Sequence, residues 1–190
     1  MIKTFLVTGC AGFIGSHMTD YLLRKGYNVI GVDNFISGKK TNLELALKNK
    51  RFKLYKDNLQ NPSKIIKKHK KIKYVFHFAG HGELVPSIEN PLEYLNNNSF
   101  ITAKLLDAVY KYLKVKKFVY AASSSCYGIN NSKTSEISPI RIEHPYALSK
   151  YIGEICVMHW SKVYKIPVDS IRIFNAYGPR SRTNNVYGAV

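Results

Sequence analysis

The stretch "IKTFLVTGCAGFIGSHMTDYLLRKG", residues 2–26, holds the clearest structural pattern in the sequence. Residues 2–9 form a short apolar run that predicts a buried strand, and residues 13–26 carry apolar side chains at helical spacing. Three glycines at intervals of three lie at the junction: Gly9, Gly12 and Gly15. Glycines there let the backbone approach a pyrophosphate closely, and the start of the helix offers N–H donors to it. The stretch therefore predicts a strand–turn–helix unit that binds a dinucleotide.

The same alternation of strand and helix continues along the chain. Five further strands are predicted, at 27–33, 52–57, 74–80, 116–125 and 168–178. Helical patterns lie between them, near 41–49, 61–70, 90–113 and 145–164. Short apolar strands that alternate with helices are typical of a parallel sheet covered on both faces. We therefore expect an α/β fold, a doubly wound parallel sheet of the Rossmann type, with ligands at the carboxyl ends of the strands.

Length and composition favour a cytoplasmic globular protein. The 190 residues are 45% hydrophobic and 22% charged, enough for one domain with a sizeable core or for one domain and the start of another. No apolar run approaches the ~20 residues that span a bilayer, and the N-terminus does not resemble a signal peptide. The three cysteines, Cys10, Cys126 and Cys156, are too few for a complete disulfide framework and lack metal-binding spacing. The histidines lack it too, so no metal is expected.

The net charge of +17 requires a separate explanation. A basic protein attracts nucleic acid, anionic membranes or phosphorylated small molecules. One basic run, "KIIKKHKKIK" (64–73), alternates with isoleucines, as a solvated helix face and a following strand would. Because it matches no motif that reads nucleic acid, we expect neither nucleic acid nor membrane as a partner.

Asp33 ends the second predicted strand, 18 residues after Gly15. A carboxylate there can accept hydrogen bonds from both hydroxyls of an adenosine ribose, but it would repel a 2′-phosphate. No lysine or arginine lies within "GCAGFIG" to bind that phosphate, so NAD is expected rather than NADP. The alternative is an aspartate that merely opens a loop. Asp57 and Asn58, after the third strand, either hydrogen-bond adenine or form an ordinary turn.

Tyr146 and Lys150 lie four positions apart in "HPYALSKYIGE" (144–154). On a helix this spacing places both side chains on one face. The pair is either an ordinary surface contact, in a chain with 14 tyrosines, or a phenol and an ammonium that move a proton. A free phenol has a pKa of ~10, so a catalytic role at neutral pH requires roughly 4 kcal/mol of help from nearby positive charge.

Several further motifs occur in order with this pair: "HFAG" (77–80), "SSSCYG" (123–128) and "RIFNAYGPR" (172–180). Together with the glycine turn and Asp33, they make the chain resemble the extended short-chain dehydrogenases/reductases, and more narrowly the nucleotide-sugar epimerase/dehydratase family. The resemblance implies NAD that stays bound through the cycle and a nucleotide-sugar substrate. It also implies that Tyr146 is the catalytic base, that Lys150 is its partner, and that Ser123 orients the substrate.

The resemblance assigns further residues to ligands. Those expected to bind the cofactor are Gly9, Gly12, Phe13, Ile14, Gly15, Asp33, Asn34, Asp57, Asn58, Phe78, Ala79, Gly80, Asn98, Tyr146 and Lys150. Those expected to face the substrate are Ser87, Ser124, Ser125, Asn175 and Arg180. Asn98 matches an asparagine that serves the family as a structural or proton-relay residue. For Arg180 the plain alternative is a surface arginine after a Gly-Pro turn.

The residues after Ser123 favour one reaction of the family. Its 4,6-dehydratases and decarboxylases carry acids at the positions of Ser124 and Ser125, and its glucuronate epimerases carry an arginine where this chain has Val85. A 4-epimerase of the UDP-GlcNAc or UDP-glucose type needs none of these. A related dehydratase, an oxidoreductase that releases its keto product and a silent NAD-binding module are the alternatives. Glu83 is either a loop residue or a catalytic acid.

The resemblance also bears on domains and assembly. Residues 1–173 are expected to form the NAD-binding domain, and residues 174–190 to begin a substrate-binding region. Because family members continue into a smaller domain, the chain is expected to be truncated and to bind NAD but turn over poorly. The helices that start near 91 and 145 are the family's usual dimer surface, so a homodimer is expected.

Overall fold

The computed structural model describes residues 2–129 and 133–181 and contains one six-stranded sheet. The strands are β1 Thr4–Thr8, β2 Asn28–Asp33, β3 Phe52–Lys56, β4 Ile72–His77, β5 Lys117–Ser123 and β6 Val168–Ile173. Every strand pair is parallel, and the order is β3-β2-β1-β4-β5-β6. This is the Rossmann order, so the predicted fold class is confirmed.

Helices connect the strands on both faces of the sheet. The α-helices are α1 Phe13–Arg24, α2 Glu44–Leu47, α3 Ser63–Ile66, α4 Val85–Glu89, α5 Pro91–Leu95, α6 Ile101–Tyr112 and α7 Pro145–Tyr164. Two 3₁₀ turns, Lys40–Leu43 and Ser124–Tyr127, and one π-helical turn, Asn96–Phe100, complete the described elements. No helix among the described residues is both long enough and apolar enough to cross a membrane.

Two apolar cores lie on opposite faces of the sheet. Phe5 and Val7 of β1 belong to the core that includes α1, whereas Leu6 belongs to the core that includes α6 and α7. Successive strand residues point to opposite faces, so one buried strand supplies both cores. All five residues of β1 are buried, as a central parallel strand requires.

The chain order reverses between β1 and β4, and this reversal opens a cleft. Thr8 pairs with Val32 of β2 on one side and with His77 of β4 on the other, so the carboxyl ends of these strands lie level. The helices that follow β1 and β4 leave on opposite sides, and ligands of this fold bind at that point.

Several element bounds differ from the prediction, and two of the differences bear on the site. The helix predicted over 90–113 is divided into α5, a π-helical turn and α6, because the Asn98 side chain turns inward to bond the backbone of His81. The strand predicted over 116–125 ends at Ser123, whose hydroxyl accepts the Ser125 N–H and starts a 3₁₀ turn. The predicted region 174–190 begins after β6, and its residues 182–190 lie outside the described chain.

Candidate functional site

A cleft of about 690 Å³ opens at the carboxyl ends of the strands. The predicted site residues that line it are Gly9, Gly12, Phe13, Ile14, Gly15, Asp33, Asn34, Asp57, Asn58, Phe78, Ala79, Gly80, Ser123, Ser124, Ser125, Tyr146, Lys150, Asn175 and Arg180. Motifs up to 170 residues apart in the sequence therefore meet in one cavity of the size that holds small molecules. Ser87 and Asn98 are the two predicted residues that lie behind its wall.

The glycine turn requires glycine at both ends. Gly9 has φ +69°, and a Cβ on it would lie 2.7 Å from the backbone nitrogen of Ala79. A Cβ on Gly15 would overlap with the carbonyl of Gly9, so α1 can pack this closely only without a side chain there. Helix α1 starts after Gly12 without a side-chain cap, which leaves its first N–H groups for an anion. These features fit the diphosphate of a dinucleotide.

Asp33 is 7% exposed and holds the turn in place. One carboxylate oxygen accepts the N–H of Ala11, and the other accepts the N–H of Phe35, both at 2.8 Å. Each oxygen still has a free lone pair, so the carboxylate can also accept ribose hydroxyls. Asp33 can therefore stabilise the loop that follows β2 and also bind a ribose, so the two roles considered for it do not exclude each other.

The loop after β2 contributes residues that the motifs did not reveal. They are Ile36, Ser37, Lys39 and Asn42, all of which line the cleft. Asn42 donates from its side chain to the carbonyl of Ala11 (2.8 Å), and the backbone N–H of Lys39 donates to the same oxygen (3.0 Å). The sequence feature that could have indicated this loop is Gly38, because a Cβ there would lie 2.8 Å from both Ala11 and Asp33.

Ser123, Tyr146 and Lys150 all line the cleft. Burial raises the pKa of the Tyr146 phenol, and a side-chain hydrogen bond with Ser123 opposes that rise. Burial also lowers the pKa of Lys150 to about 8, against the attraction of Glu154. The protein groups alone therefore favour a neutral phenol, and the positive charge expected of a bound nicotinamide is the missing stabilisation for its anion.

Several contacts fix the position of Tyr146 at the start of α7. The Ser87 hydroxyl accepts the Tyr146 N–H at 3.1 Å, and His144 accepts the N–H of Ala147 at 3.2 Å as the N-cap. The ring of Tyr146 stacks on His144 and meets Tyr94 edge-on, with centroid distances of 5.9 and 6.4 Å. Ser87 is fully buried, so the structure places it under the start of α7 rather than facing the cleft.

Asn98 is 1% exposed and uses its amide to join three segments. Its oxygen accepts the His81 N–H at 2.8 Å, and its nitrogen donates to the His81 carbonyl (3.0 Å) and to the Ser149 hydroxyl (2.9 Å). Ser149 in turn donates to the carbonyl of Tyr146 at 2.8 Å. These contacts give Asn98 a structural role, and its contact with the cofactor stays a prediction.

Lys150 lies above a second buried network. Its ammonium is 4.6 Å from the ring centroid of Tyr120. One turn further along α7, Glu154 accepts two hydrogen bonds from Arg172 of β6, at 3.0 and 3.1 Å. Arg172 also donates to the hydroxyl of Tyr127, at 2.6 Å. The motifs did not reveal Glu154 or its pairing with Arg172.

The remaining predicted substrate residues lie at the open side of the cleft. Arg180 lines it but pairs with Asp20 of α1 at 2.8 Å, so part of its guanidinium is already bound. Glu83 also lines the cleft. His77 is a fully buried strand residue between the hydroxyls of Thr8 and Thr102, not a metal ligand. The described residues contain no cluster that could hold a metal ion.

The fold is that of a dinucleotide-binding domain, and its cleft is lined by a Ser–Tyr–Lys set. A family model described as NAD dependent epimerase/dehydratase matches residues 5–190, and the chain belongs to this family. The resemblance inferred from the motifs is thereby confirmed, as is NAD as the cofactor of the family.

Curated relatives include epimerases of two nucleotide-sugar types. An uncharacterized UDP-glucose epimerase of Bacillus subtilis is 35% identical over 96% of this chain and 59% of its own length. The UDP-glucose 4-epimerase of Mycolicibacterium smegmatis is 32% identical over 97% and 60%. The UDP-glucuronate 4-epimerase of Thermodesulfobacterium geofontis is 33% identical over 94% and 57%. The chain thus spans less than two thirds of these relatives.

Solved structures show the same relationship. A UDP-N-acetylglucosamine 4-epimerase from Methanobrevibacter ruminantium, in complex with UDP-N-acetylmuramic acid, has a TM-score of 0.91 and 33% identity, with 100% of this chain and 60% of that chain covered. A UDP-glucuronic acid 4-epimerase from Bacillus cereus, in complex with UDP-glucuronic acid and NAD, has a TM-score of 0.87 and 33% identity, with 95% and 59% covered.

Proposed function

We propose that this chain is part of an NAD-dependent nucleotide-sugar 4-epimerase. The observation that carries the proposal is that Ser123, Tyr146 and Lys150 line the same cleft as the glycine turn, while Ser124 and Ser125 occupy the next two positions. A serine hydroxyl cannot serve as an acid at neutral pH, so these positions lack the carboxylates of a dehydratase.

The chain's own residues supply binding, orientation and proton transfer. The glycine turn and Asp33 hold the cofactor, and Ser123 holds the sugar hydroxyl close to Tyr146. The phenolate oxygen of Tyr146 takes the proton of the C4 hydroxyl and later returns it, and Lys150 stabilises the anion in between. NAD held by the glycine turn and Asp33 would supply reversible hydride transfer at C4 of the sugar.

For the substrate we propose a neutral UDP-sugar, of the UDP-GlcNAc or UDP-glucose type. Relatives act on UDP-glucose, UDP-N-acetylglucosamine and UDP-glucuronate. Two features support a neutral sugar: Val85 stands where the resemblance leads us to expect an arginine for a uronate, and an acidic residue, Glu83, lines the cleft.

The remaining expectations belong to this proposal. We propose residues 1–173 as the NAD-binding domain and 174–190 as the start of a substrate-binding region. Exposed apolar side chains along α5 to α7 support a homodimer: Leu92, Tyr110, Ile155, Met158 and Val163. The cytoplasmic location stays a prediction.

The test uses the protein as its gene encodes it. Incubation with UDP-GlcNAc, UDP-glucose or UDP-glucuronate is followed by NMR of the sugar C1 proton, and absorbance reports NADH. We expect the galacto epimer to form from one of the two neutral sugars without net NADH. Tyr146→Phe should lower turnover by 10²-fold or more, because it removes the acid–base group. Tyr164→Phe is the matched control, at the far end of α7 and 39% exposed.

Other outcomes would replace the proposal. Net NADH would favour an oxidoreductase that releases its keto product, and a 4-keto-6-deoxy product would favour a dehydratase. Bound NAD without any conversion would favour a binding module. Full activity of Tyr146→Phe would remove Tyr146 from the mechanism.

A further inference from the structure

A second cavity, of about 470 Å³, lies at the opposite end of the sheet from the cleft. Its floor includes Thr4, Asn28 and Phe52, which are the first residues of β1, β2 and β3. Strands of five or six residues separate it from the cleft by roughly 17 Å. It is therefore a separate concavity on the same strands that end at the glycine turn and Asp33.

Basic side chains from two chain segments surround this cavity. They are Lys50, Arg51, Lys53, Lys67, Lys68, Lys70 and Lys71. No aspartate or glutamate is found among the described lining residues, and the one further titratable side chain is that of His69. In the part of the chain that the structure describes, none of the seven forms an ion pair with a carboxylate. By contrast, Lys111 and Lys117 elsewhere have aspartate partners.

Several of these cations are held in place, although their charges stay unpaired. Arg51 donates to the carbonyl of Gly26 at 2.8 Å. Lys53 and Lys67 lie 5.5 and 4.7 Å from the ring centroids of Tyr55 and Tyr112. These contacts anchor the cations without offsetting their charge, so an anion in the cavity would relieve their mutual repulsion.

His69 reports the local potential. Its ring accepts or donates a hydrogen bond with the Tyr55 hydroxyl at 2.7 Å. Burial lowers the pKa of His69, and the charges of Lys53 and Lys68 lower it further. His69 lines the cavity, so this effect of the two lysines on its pKa indicates a positive electrostatic potential there.

We propose that this cavity, the basic cavity, binds a small molecule that carries two or more linked phosphates. The cations come from residues 50–53 and 67–71 and converge on one concavity, whose volume is that of a small-molecule site. Nucleic acid would instead require an extended basic stripe with several aromatic stacking surfaces. Phe52 is the single Phe, Tyr or Trp among the described lining residues. Linked phosphates match a group of lysine point charges better than one monovalent anion does.

The test measures binding of inorganic tripolyphosphate by calorimetry, with NAD present to occupy the glycine turn. Sodium sulfate at the same ionic strength is the control ligand. Lys68→Glu and Lys70→Glu should each weaken tripolyphosphate binding by about tenfold, since each places a like charge at the phosphates. Lys162→Glu makes the same charge change on an exposed lysine of α7, outside the cavity, and should leave the affinity within about twofold.

Three outcomes would overturn the proposal. Equal binding of sulfate would show general charge screening, and an equal loss in Lys162→Glu would show a net-charge effect. Tighter binding of a 20-nucleotide poly(U) RNA, weakened by Lys68→Glu and Lys70→Glu but not by Lys162→Glu, would indicate a nucleic-acid surface. Thermal unfolding without ligand shows whether each variant is folded, and epimerase activity is not part of the readout, so the proposed function can fail independently.

Discussion

Replacement of Lys150 by methionine should stabilise the folded protein at neutral pH while it removes activity. Lys150 is 7% exposed, and burial lowers its pKa from 10.5 to about 8. The unfolded chain therefore takes up a proton below pH 10.5 that the folded protein takes up only below about pH 8. Between these values a falling pH favours unfolding, and the penalty is complete below pH 8. Methionine has a similar shape and carries no charge.

The pKa shift sets an upper limit on the gain. At 1.36 kcal/mol per unit, the shift gives a penalty of about 3 kcal/mol at pH 7 that falls to about 1 kcal/mol at pH 9.5. The ammonium also lies 4.6 Å from the ring centroid of Tyr120, and loss of this cation–π contact costs roughly 1–2 kcal/mol. Desolvation is the larger effect, so we expect Lys150→Met to be more stable by about 1–2 kcal/mol at pH 7.

The assay is urea unfolding of both proteins between pH 7 and pH 9.5. Other groups that titrate in this range are common to both proteins, so the difference in unfolding free energy isolates Lys150. That difference should shrink as the pH rises, and Lys162→Met, on the exposed face of the same helix, should show no such trend. A variant that is less stable than the wild type at pH 7, or a difference that does not depend on pH, would refute the reasoning.

Further substitutions test residues in and around the site. Ser87→Ala should cost about 1 kcal/mol of stability and lower kcat more than KM, because the Tyr146 N–H loses its acceptor; Ser87→Thr should restore kcat in steady-state assays. Gly15→Ala should abolish NAD binding measured by calorimetry, because the added methyl overlaps with the glycine turn. Glu154→Gln and Arg172→Met should each cost about 3 kcal/mol in urea unfolding, and a double variant that costs the full sum would contradict the pairing.

The sequence predicted the fold and the motif residues of the cleft for one reason. In a parallel sheet the functional residues follow strand ends, and strand ends can be located from short apolar runs. Asp33, Gly80 and Ser123 could therefore be placed in the same cavity although about 90 residues separate the first from the last. Spacing along one helix placed Tyr146 and Lys150 beside them in the same way.

The positions of residues that act through tertiary contacts could not be predicted from strand ends or helical spacing. Ser87 was expected to face the substrate, but a short helix that no pattern predicted buries it against the start of α7. Asn98 was expected in an unbroken helix, and its inward bonds to His81 are what open the π-helical turn. Hydrogen bonds between segments that are remote in the sequence produce no periodic pattern of apolar residues and no fixed motif spacing, so only the structure reveals them.

The environment of Tyr146 and Lys150 shows why the pair is incomplete without a ligand. Burial disfavours both charged forms, since it raises the pKa of the phenol and lowers that of the ammonium. Glu154 stabilises the ammonium, but Arg172 already occupies much of that carboxylate. A cation that binds in the cleft would stabilise the phenolate directly and would cost little reorganisation, because the Ser87 and Asn98 contacts already hold the start of α7. We therefore propose that proton transfer at Tyr146 depends on the cofactor that is predicted to bind at the glycine turn.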